Sequence, residues 1–157
     1  ARACEGRLVA PVPVREDVRL REWCFGALEG EPSEAMRQRL RDLFGEDLPR
    51  EAQNRRLNEI ADYLHATDPA ERAESFATIA ARIEAFLHEC GRAVEEAGGG
   101  NVLVVSHALL IRALVFLYVH DGVPFPSKIE NASITEVVWD DGAISVGAIG
   151  ATDHLAG

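Results

Sequence analysis

Residues 101–117, NVLVVSHALLIRALVFL, decide how the chain is read. They open with a valine-rich apolar run at 102–105, set off from the chain before it by Gly98, Gly99 and Gly100. A short continuous apolar run of this kind predicts a buried parallel strand. After Ser106 and His107 the apolar residues change to helical spacing, at Leu110, Ala113, Leu114 and Leu117. A polar pair between a buried strand and its helix lies at the carboxyl end of the sheet, where open α/β folds place their ligands. The helix start also offers unpaired N–H groups and a partial positive charge, which suit a phosphate at the backbone of Ala108. From this stretch alone, His107 reads equally well as the plain end of a strand.

The length of 157 residues fits one domain with a real core. Apolar residues make up 47% and charged ones 27%, as in a soluble globular protein. The net charge is −10 and Lys128 is the sole lysine. Such acidity argues against nonspecific binding to nucleic acid or to an anionic membrane, but a few arginines can still gather a small anionic substrate. Cys4, Cys24 and Cys90 are scattered, form no metal-ligand pattern and suggest no disulfide framework. They are expected to be small core residues in a reducing, cytoplasmic compartment. The longest apolar run, 108–119, contains Arg112 and is too short to span a bilayer. No signal peptide is visible. The first residue is alanine, so either an initiator methionine has been removed or the sequence starts inside a longer chain.

Taken in order, residues 1–10 read as the end of a helix stopped by Pro11 and Pro13, and Val12 with Val14 as a short strand. The mixed segment RLREWCFGALEGE, 19–31, reads as an ordered loop of the kind that serves a site. Ser33 is placed to cap a helix with Met36, Leu40, Leu43 and Phe44 on one face, ended by Gly45. Leu57, Ile60, Ala61 and Leu64 mark a second helix. Asp68, Pro69 and Glu71 form a helix-start signal for a third. Its stripe of Phe76, Ile79, Ala80, Ile83, Phe86, Leu87, Cys90 and Val94 is expected to lie on the sheet until Gly98 ends it. Asp121, Gly122, Pro124 and Pro126 make a loop, and residues 133–139 and 143–149 flank Asp141-Gly142 as a hairpin. The pattern is an α/β fold, a three-layer sandwich with a mostly parallel sheet and some antiparallel pairing at one edge.

These residues resemble the histidine phosphatase superfamily, the phosphoglycerate-mutase-like fold. Leu20-Arg21-Glu22, Phe25-Gly26 and Glu29-Gly30 are similar to its LRE…FG…EG segment, and Ala73-Glu74-Ser75 with Arg82 to its GES…R helix start. VLVVSHALLIRAL resembles the second histidine motif, Asn131-Ala132-Ser133-Ile134-Thr135 a late strand, and Asp153-His154-Leu155 the tail. The motifs come in the family's order and cover nearly all of the chain.

The resemblance implies phosphoryl transfer to a histidine, giving a phosphohistidine that water then cleaves. His107 matches the histidine that holds the transferring phosphoryl group. Glu22 matches the acid that protonates the leaving oxygen and then takes a proton from water. No metal and no organic cofactor is implied. Glu29 is read as a structural loop residue, His154 as a secondary candidate, and His65, His88 and His120 as surface-helix residues. Arg112 is read as a partly buried structural arginine.

The family's nucleophile lies in an Arg-His-Gly motif, whereas the five histidines of this chain follow Leu64, Leu87, Ser106, Val119 and Asp153. The opening ARACEG resembles the helix after the family's second phosphate segment, with Cys4 in place of a threonine and Arg2 as a candidate phosphate-binding arginine. The expectation is therefore a partial domain over residues 1–157, with the first strands and the nucleophile upstream. The expected activity is phosphomonoester hydrolysis of a small phosphorylated substrate. The alternatives are an inactive binding module, which a missing central strand would push to pair with a second copy, and mutase-type transfer. The segment between the FG…EG loop and the GES-like helix lacks the long insertion that mutases carry.

Overall fold

The computed structural model describes residues 13–119 and 126–156. Arg2, Cys4, the helix end over 1–10, Pro11, Val12, His120 and the loop residues Asp121, Gly122 and Pro124 lie outside that range. The elements are helices α1 (Ser33–Phe44), α2 (Arg50–Asn54), α3 (Leu57–Thr67), α4 (Phe76–Glu96) and α5 (Ala108–Tyr118), and strands β1 (Val137–Asp140) and β2 (Ala143–Val146). Short 3-10 turns stand at Val18–Leu20, Gly26–Leu28 and Asp153–Leu155.

The core is built where the periodicity is strongest. Leu57, Ile60, Ala61 and Leu64, spaced by three and four, are the buried residues of α3. Ile79 and Ile83 of α4 and Leu110 and Ala113 of α5 meet Leu57 and Ala61, with Trp23 from the 19–31 segment filling the same cluster. Phe76 and Phe116 pack edge to face against it, 5.2 Å between ring centres. Trp23 thus anchors an irregular segment to three helices.

The stripe of α4 faces α3, α5 and the Val18–Leu20 turn, not a broad sheet. Its far end meets the hairpin instead. Gly91 lies flat against the Trp139 indole, where any Cβ would collide with the ring. The hairpin is shorter than expected, pairing Val137 with Val146 and Asp140 with Ala143. Asp141 and Gly142 both have positive φ, 45° and 84°, as a type I′ turn requires. Beyond it, Ile134 and Ala151 form an isolated bridge.

Four expectations are corrected. Among the described residues the sheet is this one antiparallel pair, and the mostly parallel sheet is not seen. Residues 102–105 are not a buried strand. Val102, Leu103, Val104 and Val105 are 53%, 71%, 41% and 57% exposed, because no described strand lies beside them. Residues 13–17 form no strand either, and lead directly into the Val18–Leu20 turn. Finally, Asp68, Pro69 and Glu71 do not open α4. Asp68 closes α3, Glu71 adopts a positive φ of 52°, and Ser75 caps α4, its hydroxyl accepting the Thr78 N–H.

Two smaller readings also change. Pro32, not Ser33, occupies the cap position of α1, although Gly45 ends that helix in the left-handed conformation as expected. Cys24 and Cys90 are half-buried free thiols, not core residues. No helix among the described residues is long and apolar enough to cross a membrane.

Candidate active site

The segment that carries Glu22 has neither helix nor sheet to satisfy its backbone. A buried ion pair does that work. Arg82 and Glu74, 9% and 8% exposed, face each other through two bonds, Nε to Oε1 at 3.0 Å and Nη2 to Oε2 at 3.2 Å. Arg82 Nη1 donates to the carbonyls of Arg19 at 2.6 Å and Arg21 at 2.8 Å. Glu74 accepts the Cys24 N–H at 3.0 Å and the Arg21 guanidinium at 3.0 Å, and its own N–H donates to the Cys24 carbonyl. Such a pair is fully hydrogen-bonded, the condition under which buried charges are tolerated. It clamps residues 19–24 against α4.

Glu22, half-buried, turns from this clamp toward the start of α5. Its Oε1 accepts the N–H groups of Trp23 and Leu110, both at 3.1 Å, and its Oε2 accepts that of Leu109 at 3.3 Å. His107 is the residue immediately before the helix, extended and exposed. Beside it, the Ser106 hydroxyl donates to the Leu20 carbonyl at 2.8 Å. Glu22 and His107, 85 positions apart, are therefore brought to the same end of one helix. Ala108 is the first helical residue and is exposed. Arg2, the other expected phosphate contact, lies outside the described residues.

Arg112, one turn into α5, is 4% exposed and donates to the Ser127 carbonyl at 3.0 Å. Burial pushes its pKa down, the neighbouring charge of Arg50 pushes the same way, and the Glu22 carboxylate opposes both. Arg112 is thus a buried charge near enough to Glu22 to feel its carboxylate, without an ion pair between the two. Asn54 of α2 donates to the adjacent Pro126 carbonyl at 3.0 Å, so two side chains together fix residues 126–127.

The remaining candidates stand apart. Glu29 accepts the Phe25 N–H at 2.8 Å and shapes its loop. His65 Nδ1 meets the Ala73 carbonyl, His88 stacks edge-on against Trp139, and His154 Nε2 meets the Ala132 carbonyl at 2.9 Å. A cavity of about 380 Å³ between the 25–31 loop, α1 and α3 is lined by Phe25, Leu28, Arg39, Leu64 and Asp68, and touches neither Glu22 nor His107. Sequence reasoning missed the clamp itself, though its signal was present: Arg82 falls between Ile79 and Ile83 on the apolar face of α4, where a charge needs a partner.

Fold and site together define a class: a protein that draws a carboxylate, Glu22, to the start of the helix that His107 immediately precedes. The chain belongs to the histidine phosphatase superfamily. Residues 1–152 match the model of that superfamily's branch 1. Among solved structures the chain is similar to the crystal structure of phosphoglycerate mutase from Bacillus anthracis str. Sterne. The two are 33% identical with a TM-score of 0.76, over 88% of this chain and 60% of that one. The chain therefore spans about three-fifths of that mutase's length. No protein of curated function matches the chain.

Proposed function

We propose that the protein is a phosphomonoesterase that works through a phosphohistidine intermediate. The observation that carries this reading is the meeting of Glu22 with the His107 end of α5. In the proposed reaction the phosphoryl group of a small monoester rests against His107 and the first amide of α5, that of Ala108. A second histidine attacks phosphorus and the ester oxygen leaves with a proton from Glu22. Glu22 then removes a proton from water, which attacks the phosphohistidine and returns the nucleophile. The attacking histidine would come from a segment preceding residue 1. Exposed, apolar residues 102–105 support that placement, since a strand of that composition needs a neighbour.

A mutase-type transfer is the second reading, favoured by the likeness to a phosphoglycerate mutase. Intact mass and amino-terminal sequencing of the native protein establish whether an upstream histidine exists. With it present, aryl-phosphate hydrolysis should fall about 10²- to 10⁴-fold in Glu22→Gln, the usual weight of a general acid–base group, and comparably in His107→Ala. Unchanged hydrolysis in both variants contradicts the acid–base role of Glu22 and the phosphoryl-holding role of His107. Transfer to an added phosphoacceptor faster than to water favours the mutase.

A further inference from the structure

We infer that Glu22 is the N-terminal cap of α5 and that this bond sets where His107 stands. The inference rests on the proposed role of His107 and adds a positioning role to Glu22. A helix leaves its first N–H groups without intrahelical acceptors, and a side-chain oxygen of the cap residue ordinarily takes those of the second and third residues. The cap residue of α5 is His107, and its side chain makes no such bond. The second and third residues are Leu109 and Leu110, and Glu22 takes both of their N–H groups from a distant segment.

The described residues offer little to hold the extended-looking run before His107 in place. Among the described residues, the backbone of 102–106 makes no hydrogen bond, and the Ser106 hydroxyl on the Leu20 carbonyl is its one polar tie. The segment around Glu22 is, by contrast, clamped through Glu74 and Arg82. His107 is therefore bracketed by bonds to residues 20 and 22. Position passes from the buried ion pair, through the Glu22 carboxylate, to the imidazole. The charged groups near this carboxylate or its backbone are Arg112 on α5, Arg82 on α4, Glu74 before α4, Arg21 in its own segment, and Arg50 of α2 through Arg112.

The test is amide hydrogen exchange and 15N NMR on the 157-residue chain, which involve no turnover. Its failure leaves the phosphatase reading standing, and an absence of hydrolysis leaves this inference standing. In Glu22→Gln the Leu109 and Leu110 amide shifts should move from their positions in the unmodified chain. Exchange at Leu109 and Leu110 should rise about fivefold in Glu22→Ala, the loss of an ordinary cap, and less in the isosteric Glu22→Gln. The His107 ring signals should move in both. Glu29→Gln, which removes a carboxylate from the same loop, should leave α5 unchanged. Should Glu22→Ala not fold, Glu22→Gln decides. The inference is overturned if Glu22→Gln leaves the two amides as they were, or if Glu29→Gln disturbs them equally.

Discussion

At the scale of single residues, a few polar contacts carry the site. The Glu74–Arg82 pair is the strongest case, because removing one partner leaves the other charged and buried. Arg82→Met should destabilise the protein by about 3–5 kcal/mol, measured by urea unfolding. A loss below about 1 kcal/mol would mean that the 19–24 segment is held by something else. Gly91 offers a purely steric check on the α4–hairpin contact. A methyl group there meets the Trp139 ring, so Gly91→Ala should cost about 1–3 kcal/mol even though alanine favours helix. The clamp shows how much of the site could be read in advance. Glu22 and His107 were legible as ordered motif residues, but nothing in their spacing says that a carboxylate 85 positions away caps the helix after the histidine.

At the scale of elements, legibility followed the kind of interaction that holds each one. Helix α3 is a local structure with a repeating apolar face, so its buried residues appear directly in the sequence; in α5 the spacing finds Leu110 and Ala113, whereas Leu114 and Leu117 are only partly buried and Val115 is buried instead. The Asp141-Gly142 turn is equally local. Residues 102–105 failed as a buried strand because a strand is completed by its neighbours, and no described strand is there. Asp68 failed for a related reason. Its carboxylate accepts N–H groups from Ala70, Arg72 and Ala73 nearby, but also from Ala27, 41 positions away, so it ends one helix and pins a loop. Desolvation favours the neutral acid, yet those four N–H groups outweigh it and hold the Asp68 pKa well below the ordinary carboxylate value. A depressed carboxylate contributes stability that is present above its unfolded pKa of about 4 and is lost as pH falls toward the folded value. Asp68→Asn should therefore lower the melting temperature at pH 7, with the gap to the parent closing below about pH 4. A gap independent of pH would mean that the charge of Asp68 is not what stabilises the loop. Ser75→Ala should cost about 1 kcal/mol, as the true cap of α4, and Asp68 should not substitute for it.

At the scale of the whole molecule, two features pull against each other. The net charge of −10 keeps copies apart, while Val102, Leu103, Val104 and Val105 present an apolar, extended edge. High salt screens the first and leaves the second. The 157-residue chain should therefore self-associate more as salt rises, by sedimentation velocity, and Leu103→Lys should suppress it without lowering the melting temperature. In the proposed reaction the same edge is where a neighbouring strand would bring the nucleophile toward His107. In the proposed reaction the acid surface means that an anionic substrate would be drawn in locally, by the start of α5. The most direct measurement is a crystal structure of the native protein with orthovanadate, a phosphate analogue. The anion should lie within about 3 Å of the His107 imidazole, with the Glu22 carboxyl beside it. Vanadate seated instead in the cavity between α1 and α3, with His107 unoccupied, would contradict a phosphate site at the start of α5.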